Sequence, residues 1–109
     1  MAYKILGQSS PTSSLDTDIY TVPSGKEAVI STITVCNVGS TLCTYRIAAR
    51  SGSEAIQNRH YIVYDAEITT SETIALTFGM TLSENDTITV RSSVSSSLAF
   101  NIFGNESWV

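Results

Sequence analysis

The amino-acid sequence predicts an all-β protein, a single antiparallel β-sandwich or jelly-roll-like domain of about eight short strands. Three observations favour this fold. Segments such as Val29–Val35 and Thr87–Val90 are β-branched and partly alternating, which is typical of half-buried strands. Turn signals recur roughly every 8 to 12 residues. Serine and threonine supply most of the polar character, because only 15% of the residues are charged, against roughly 25% in typical domains.

The first 17 residues are predicted to form one strand followed by a flexible arm. After an apolar start, Ser9–Ser14 is polar and lacks a hydrophobic period, which is typical of an extended arm or loop. Asp18–Val22 then has the composition of a strand. Pro23 and Gly25 end this strand, because proline fixes the φ of a turn and glycine tolerates a positive one.

The next predicted strand, Ala28–Asn37, is the strongest in the chain. Cys36 and Cys43 flank a six-residue stretch that has the character of a hairpin loop. In such a hairpin the two cysteines would face each other at roughly the 5.5 Å Cα separation of a disulfide. We expect free thiols instead, because cysteine behaves as a small hydrophobic residue in strands and cytosolic disulfides are uncommon.

Alternation of apolar and polar residues after the cysteines predicts a sheet with one solvent-exposed face. The side chains of Thr44–Arg50 divide between two faces, with Tyr45, Ile47 and Ala49 on one and Arg46, Ala48 and Arg50 on the other. The interval 51–59 is where a helix is most plausible. Ser53 is placed to cap a single turn over Glu54–Gln57.

Four further strands are predicted in the second half of the chain. His60–Asp65 has aromatic and β-branched residues on both faces, which indicates cover on both sides and makes it a candidate interface strand. The side chains of Glu72–Phe78 alternate between two faces, and Ile74, Leu76 and Phe78 lie on the same one. A turn at Ser83–Asp86 precedes the strand Thr87–Arg91. A flexible serine-rich connection then leads to Leu98–Phe103 and a short tail.

Composition excludes several classes of function for this single domain of residues 1–109. The net charge is −4 and the six basic residues are scattered, so we expect no nucleic-acid partner. No segment approaches the roughly 18 apolar residues of a membrane span, so we expect no membrane partner. One histidine, His60, and two cysteines fall short of the four ligands of a structural zinc site. We therefore predict a non-enzymatic protein with no catalytic residue, no cofactor and no metal.

The aromatic residues leave two interpretations open. β-Sandwiches can hold sugars on exposed aromatic rings, and this chain offers for that purpose Tyr20, Tyr45, Tyr61, Tyr64 and Trp108. The preferred interpretation is that the tyrosines pack in the core or between subunits, because alternation places Tyr45 with Ile47 and Tyr61 with Val63.

The order and spacing of several segments resemble a family of small virion structural proteins of tailed phages, especially phages of marine cyanobacteria. The resemblance spans nearly the whole chain. It is carried by Met1-Ala2-Tyr3-Lys4 through Leu6-Gly7-Gln8, Tyr20-Thr21-Val22-Pro23, Ser31-Thr32-Ile33 through Asn37, Tyr45-Arg46-Ile47-Ala48, His60-Tyr61 through Tyr64-Asp65, and Phe100-Asn101 through Phe103-Gly104.

This resemblance implies a β-rich particle component without enzymatic activity, made in the host cytoplasm and located in the virion. The leading role is capsid decoration by a cement protein, and the alternative is a small tail, neck or fibre subunit. We expect a homo-oligomer, a trimer by preference, that contacts the major capsid protein or another virion protein. Tyr3–Leu6 either reaches a neighbour or forms the first strand of its own sheet. The candidate interface residues are Tyr3, Ile5, Leu6, Tyr61 and Tyr64.

Overall fold

Eight antiparallel strands pair into two four-stranded sheets in the computed structural model, which describes residues 3–12, 14–52 and 54–109. The order is β1-β8-β3-β6 in the first sheet and β2-β7-β4-β5 in the second, which is the order of a jelly roll. The predicted all-β sandwich is therefore confirmed. The strands are β1 (Lys4–Ser9), β2 (Thr17–Thr21), β3 (Lys26–Asn37), β4 (Cys43–Arg50), β5 (Tyr61–Ile68), β6 (Thr73–Leu82), β7 (Thr87–Ser92) and β8 (Leu98–Trp108).

An aliphatic core lies between the two sheets. Its largest fully buried side chains include Ile30, Ile33, Ile47, Ile88 and Phe100. Each side chain of this size stabilises the fold by about 1.5–3 kcal/mol when it leaves water. The predicted inward faces are confirmed, because the core also contacts Tyr45, Ala49, Ile74, Leu76 and Phe78. Within the described ranges, no helix is long and apolar enough to cross a membrane.

The predicted hairpin between the two cysteines is wrong. Cys36 pairs with Ala99 and Thr73 in the first sheet, whereas Cys43 pairs with Ile68 in the second. The chain crosses between the sheets here because the buried Asn37 amide holds the connection in place. Its nitrogen donates to the carbonyl oxygens of Thr41 (2.9 Å) and Ile68 (3.1 Å), and its oxygen accepts from the Gly39 N–H. Both cysteines are free thiols.

The opening segment forms a strand of the first sheet. β1 pairs with β8, so it is the first strand of its own sheet. After β1, Pro11 is buried and its carbonyl accepts the Ser96 N–H at 2.8 Å. The Ser95 hydroxyl donates to the Thr12 carbonyl at 2.5 Å. Over its described residues the predicted arm thus contacts the serine-rich β7–β8 connection, and its flexibility stays a prediction; Ser13 lies outside the described residues.

Two predicted boundaries also shift. The single helical turn is a 3-10 turn at Asn58–His60, and it begins after Gln57 instead of after Ser53, which lies outside the described residues. The backbone N–H of Gln57 donates to His60 Nδ1 at 2.9 Å, so a histidine on the turn itself caps it. The predicted tail is part of β8, because β3 is long enough to pair with this strand as far as Trp108.

Candidate functional site

On the outer face of the first sheet, four consecutive cross-strand rows have no charged side chain; the next row, at one end of the sheet, holds the exposed Glu27. We call these four rows the uncharged face. They run across β1, β8, β3 and β6 and consist of Asn105–Val29–Thr81, Ile5–Phe103–Thr32–Thr77, Gln8–Asn101–Thr34–Ala75 and Ala99–Cys36–Thr73. Val29 and Ile5 are 40% and 52% exposed. An uncharged surface with exposed apolar side chains is typical of a face that contacts protein.

Strand β6 is the least protected edge of the sandwich. It is ten residues long, it lies at the end of its sheet, and its sequence TIALTFGMTL contains neither a charge nor a proline. Unpaired backbone groups on such an edge are a template for a further strand, and soluble proteins normally block them with charges, bulges or short strands. β6 has one register irregularity against β3, between Ile30 and Thr32, but it carries no charge. The edges of the second sheet are blocked more fully: β2 has five residues and a charged Asp18, and β5 has two irregularities and a charged Asp65.

The outer face of the second sheet carries paired charges, and we call it the charged face. Its members are the arginines Arg46, Arg50 and Arg91 and the aspartates Asp16, Asp18 and Asp65. Arg50 Nη2 lies 2.7 Å from Asp18 Oδ1, which also accepts a 2.7 Å hydrogen bond from the Thr89 hydroxyl. Arg46 and Arg91 face each other directly across β4 and β7. Like charges on directly opposed residues repel each other, and the neighbouring aspartates offset this repulsion.

Two irregularities in β5 bring Tyr61 and Tyr64 together on the charged face. An undisturbed strand would place Tyr61 with Val63, as predicted, but the register of β5 shifts at Ile62 and again at Tyr64–Asp65. Val63 therefore packs on the core while Tyr61 contacts Tyr64 on the outside, and the predicted pairing is wrong. Asp65 has a positive φ of 53°, a conformation that aspartate tolerates better than most residues.

These residues form a fixed aromatic and polar cluster, which we call the tyrosine cluster: Tyr61, Tyr64, Arg46 and Asp65. The two rings meet edge to face, with centroids 4.8 Å apart and planes at 79°. The Arg46 guanidinium lies 4.1 Å from the centroid of Tyr64. It also binds both carboxylate oxygens of Asp65, at 2.6 and 3.1 Å. This hydrogen-bonded pair raises the pKa of Arg46 and lowers the pKa of Asp65, so both groups are charged at neutral pH.

Two shallow pockets adjoin the tyrosine cluster. One, of about 350 Å³, is lined by Asn58, Tyr61 and Tyr64. The other, of about 250 Å³, has polar walls that include Thr44, Arg46, Asp65, Arg91 and Ser93. The cluster thus separates an aromatic depression from a polar one.

The candidate interface residues fall into two separate groups. Tyr3 and Ile5 lie on the β1 side of the first sheet and are 68% and 52% exposed, while Leu6 packs against the core. Tyr61 and Tyr64 lie on the second sheet. Sequence reasoning missed Arg46 and Asp65 as partners of the tyrosines, because the signal that joins them is the irregular register of β5. The clean alternation of β6 was visible, but its position at an edge was not.

The other aromatic residues are divided between the two interpretations. Tyr20 and Tyr45 are core residues, at 8% and 3% exposure, as the packing interpretation predicts. Tyr64 is 57% exposed and Trp108 is 75% exposed. The Lys26 ammonium lies 4.5 Å from the Trp108 ring, away from the tyrosine cluster.

The His60 side chain caps the turn before β5. Its imidazole is buried, and Nδ1 accepts the Gln57 N–H, which places the proton of the neutral ring on Nε2. That nitrogen lies 3.5 Å from a carboxylate oxygen of Glu54, without hydrogen-bond geometry. These contacts explain the position of His60 by the local structure of the turn.

No protein-family model matches this chain, and no curated protein sequence matches it either.

Proposed function

We propose that this chain is a non-enzymatic structural protein of a phage virion, and that it decorates the capsid as a homo-oligomer that stabilises the shell. The single observation that carries the proposal is the uncharged face together with the open β6 edge. The jelly-roll strand order adds fold-level support, because viral capsid domains commonly have it. Such support is analogy, since one fold hosts many functions.

Strand position suggests how copies associate. β1 and β6 are the two edges of the same sheet, so a contact between β6 of one copy and β1 of the next would extend the sheet from copy to copy. A contact between two different surfaces produces a ring when its rotation closes. In the proposed trimer, β6 meets the β1 edge of the neighbouring copy, and Tyr3 and Ile5 become covered.

The assembly is tested with one lysine placed on each sheet. Thr77 lies on the outward side of the β6 edge, and Thr21 lies on the β2 edge of the other sheet. Native mass spectrometry of the purified protein is expected to show a homo-oligomer for wild type and for Thr21→Lys, and a monomer for Thr77→Lys. A monomeric wild-type protein at tens of micromolar would contradict self-association through this edge.

The particle assignment is tested by copy number. Quantitative mass spectrometry of particles purified from the encoding phage is expected to find this chain near parity with the major capsid protein or at about a third of it. Tens of copies or fewer would indicate a tail, neck or fibre subunit. Complete absence from the particle would contradict the virion proposal.

A further inference from the structure

We propose that the tyrosine cluster is a carbohydrate-binding site that takes a neutral pyranose ring of a glycan. This inference is independent of the virion proposal, because it concerns the face opposite the one proposed for assembly.

The first argument is the shape and rigidity of the aromatic pair. Tyr61 and Tyr64 meet at 79°, so the faces of the two rings form adjacent walls of a corner. Tyr64 remains 57% exposed even though Arg46 lies against it. Apolar C–H groups of a pyranose pack on such ring faces, and tyrosine supplies this surface at low entropic cost because its side chain has few rotatable bonds.

The second argument is the polar complement beside the rings. Sugar hydroxyls donate and accept hydrogen bonds, so a site needs fixed groups of both kinds. Arg46 supplies donors, and only two of its five N–H groups are used by Asp65. Asp65 supplies acceptors, and Asn58, which lines the aromatic pocket with Tyr61 and Tyr64, supplies both.

The third argument is charge. Arg46 and Asp65 neutralise each other in a two-point pair, so the cluster presents strong hydrogen-bonding groups without a net charge. This favours a neutral polyhydroxylated ring over an anion. The aromatic pocket, at about 350 Å³, lies at the lower end of the roughly 300–1,000 Å³ of small-ligand sites, which suits one ring.

A simpler explanation is that these side chains only block the β5 edge against pairing. It accounts for the two bulges and for the charge of Asp65. It does not require an exposed tyrosine and a half-buried one to meet nearly at right angles, with a guanidinium fixed against the exposed ring. The two explanations differ in one measurable way, since only a binding site loses affinity for sugar when Tyr64 is removed.

The probes are the methyl pyranosides of glucose, galactose, mannose and N-acetylglucosamine, examined by saturation-transfer NMR, together with a glycan array. We expect at least one neutral sugar to receive saturation from the wild-type protein. Tyr64→Ala is expected to weaken binding at least tenfold, and Tyr64→Phe to retain it because the ring face remains. Trp108→Ala removes another exposed aromatic ring, one that lies away from the tyrosine cluster, and should bind as wild type does. A far-UV spectrum and melting curve establish that each variant is folded.

Three results would overturn the proposal. These are the absence of any saturation transfer or array signal with wild type, equal binding by folded Tyr64→Ala, and binding restricted to acidic glycans that disappears at high salt. The last would assign an anion site to Arg46 and Arg91 in place of a sugar site.

Discussion

Threonine, alanine and asparagine dominate the uncharged face, whereas three arginines and three aspartates pair on the charged face of the same sandwich. Both faces cover the same core, so core packing does not account for the difference. Side chains that need no counter-charge can be covered by another protein surface at low desolvation cost, while paired charges resist such cover. We infer that the first face is suited to assembly and the second to water and soluble ligands.

The two sheets also differ in what limits their stability. In the first sheet, β8 is flanked on both sides and its backbone approaches its neighbours closely at Gly104. In the second sheet, ion pairs and hydrogen bonds from hydroxyl groups link strands on the outer face. The following predictions test this comparison, beginning with the largest expected effect.

Gly104→Ala is expected to destabilise the first sheet by about 3 kcal/mol or more. A Cβ at this position would lie 2.2 Å from the carbonyl oxygen of Val29 and 3.0 Å from Leu6 Cδ1. β8 is held between β1 and β3, so the backbone has no direction in which to move. Urea denaturation measures the free energy of unfolding. Gly79→Ala in β6 is the control, because its Cβ meets nothing within 4 Å and should change stability by less than about 0.5 kcal/mol.

Tyr20→Phe is expected to cost about 1–2 kcal/mol by breaking a contact between the sheets. The Tyr20 hydroxyl donates to Glu106 Oε2 at 2.6 Å, from β2 in one sheet to β8 in the other. Removing the hydroxyl leaves a largely buried carboxylate with one partner fewer. The same denaturation experiment on Tyr64→Phe, an exposed position on the charged face, should show no change. Equal losses in the two variants would mean that the contact does not join the sheets energetically.

Stability is expected to fall in acid partly through Glu106. The hydrogen bond from Tyr20, followed by the nearby Lys4 and Lys26 ammonium groups, holds the pKa of Glu106 below its ordinary value of 4.5. A carboxyl with a depressed pKa stabilises the fold above its unfolded-state pKa and loses that contribution as pH falls through the folded-state value. The stability difference between wild type and Glu106→Gln should therefore be constant near neutral pH and shrink below about pH 4.5. Melting curves in a pH series measure it, and a difference that does not vary with pH would contradict this role.

Arg50→Ala should give the smallest loss in the free energy of unfolding, about 0.5–1 kcal/mol, and salt should reduce this loss. Arg50 binds Asp18 and Thr89 on the charged face, where Asp18 is 55% exposed. Denaturation at low salt and at about 0.5 M NaCl compares the variant with wild type. Thr34→Ala on the uncharged face is the control, and its effect should not depend on salt. Salt sensitivity of the same size in both variants would remove the proposed difference between the faces.

Local pattern predicted most of the architecture but little of the site. The inward side chains of β4 and β6 followed from alternation, because one face of each is buried. The Cys36–Cys43 connection was mistaken for a hairpin because its crossing depends on the buried contacts of Asn37, which no local pattern reveals. The tyrosine cluster was missed for a related reason. It exists only because bulges change the register of β5 against β4.

The position of β8 in its sheet has a consequence for folding during translation. This strand emerges from the ribosome last of the eight, yet it lies between β1 and β3 and pairs with both of them. Until it has been translated, the first sheet lacks an inner strand and Ile30, Ile33 and Val35 lack Phe100 and Ile102 beside them. Chaperones that bind exposed apolar segments have their longest opportunity in this interval. A nascent chain that stops before β8 cannot build the proposed assembly surface, so truncated copies are expected to be excluded from the proposed oligomer.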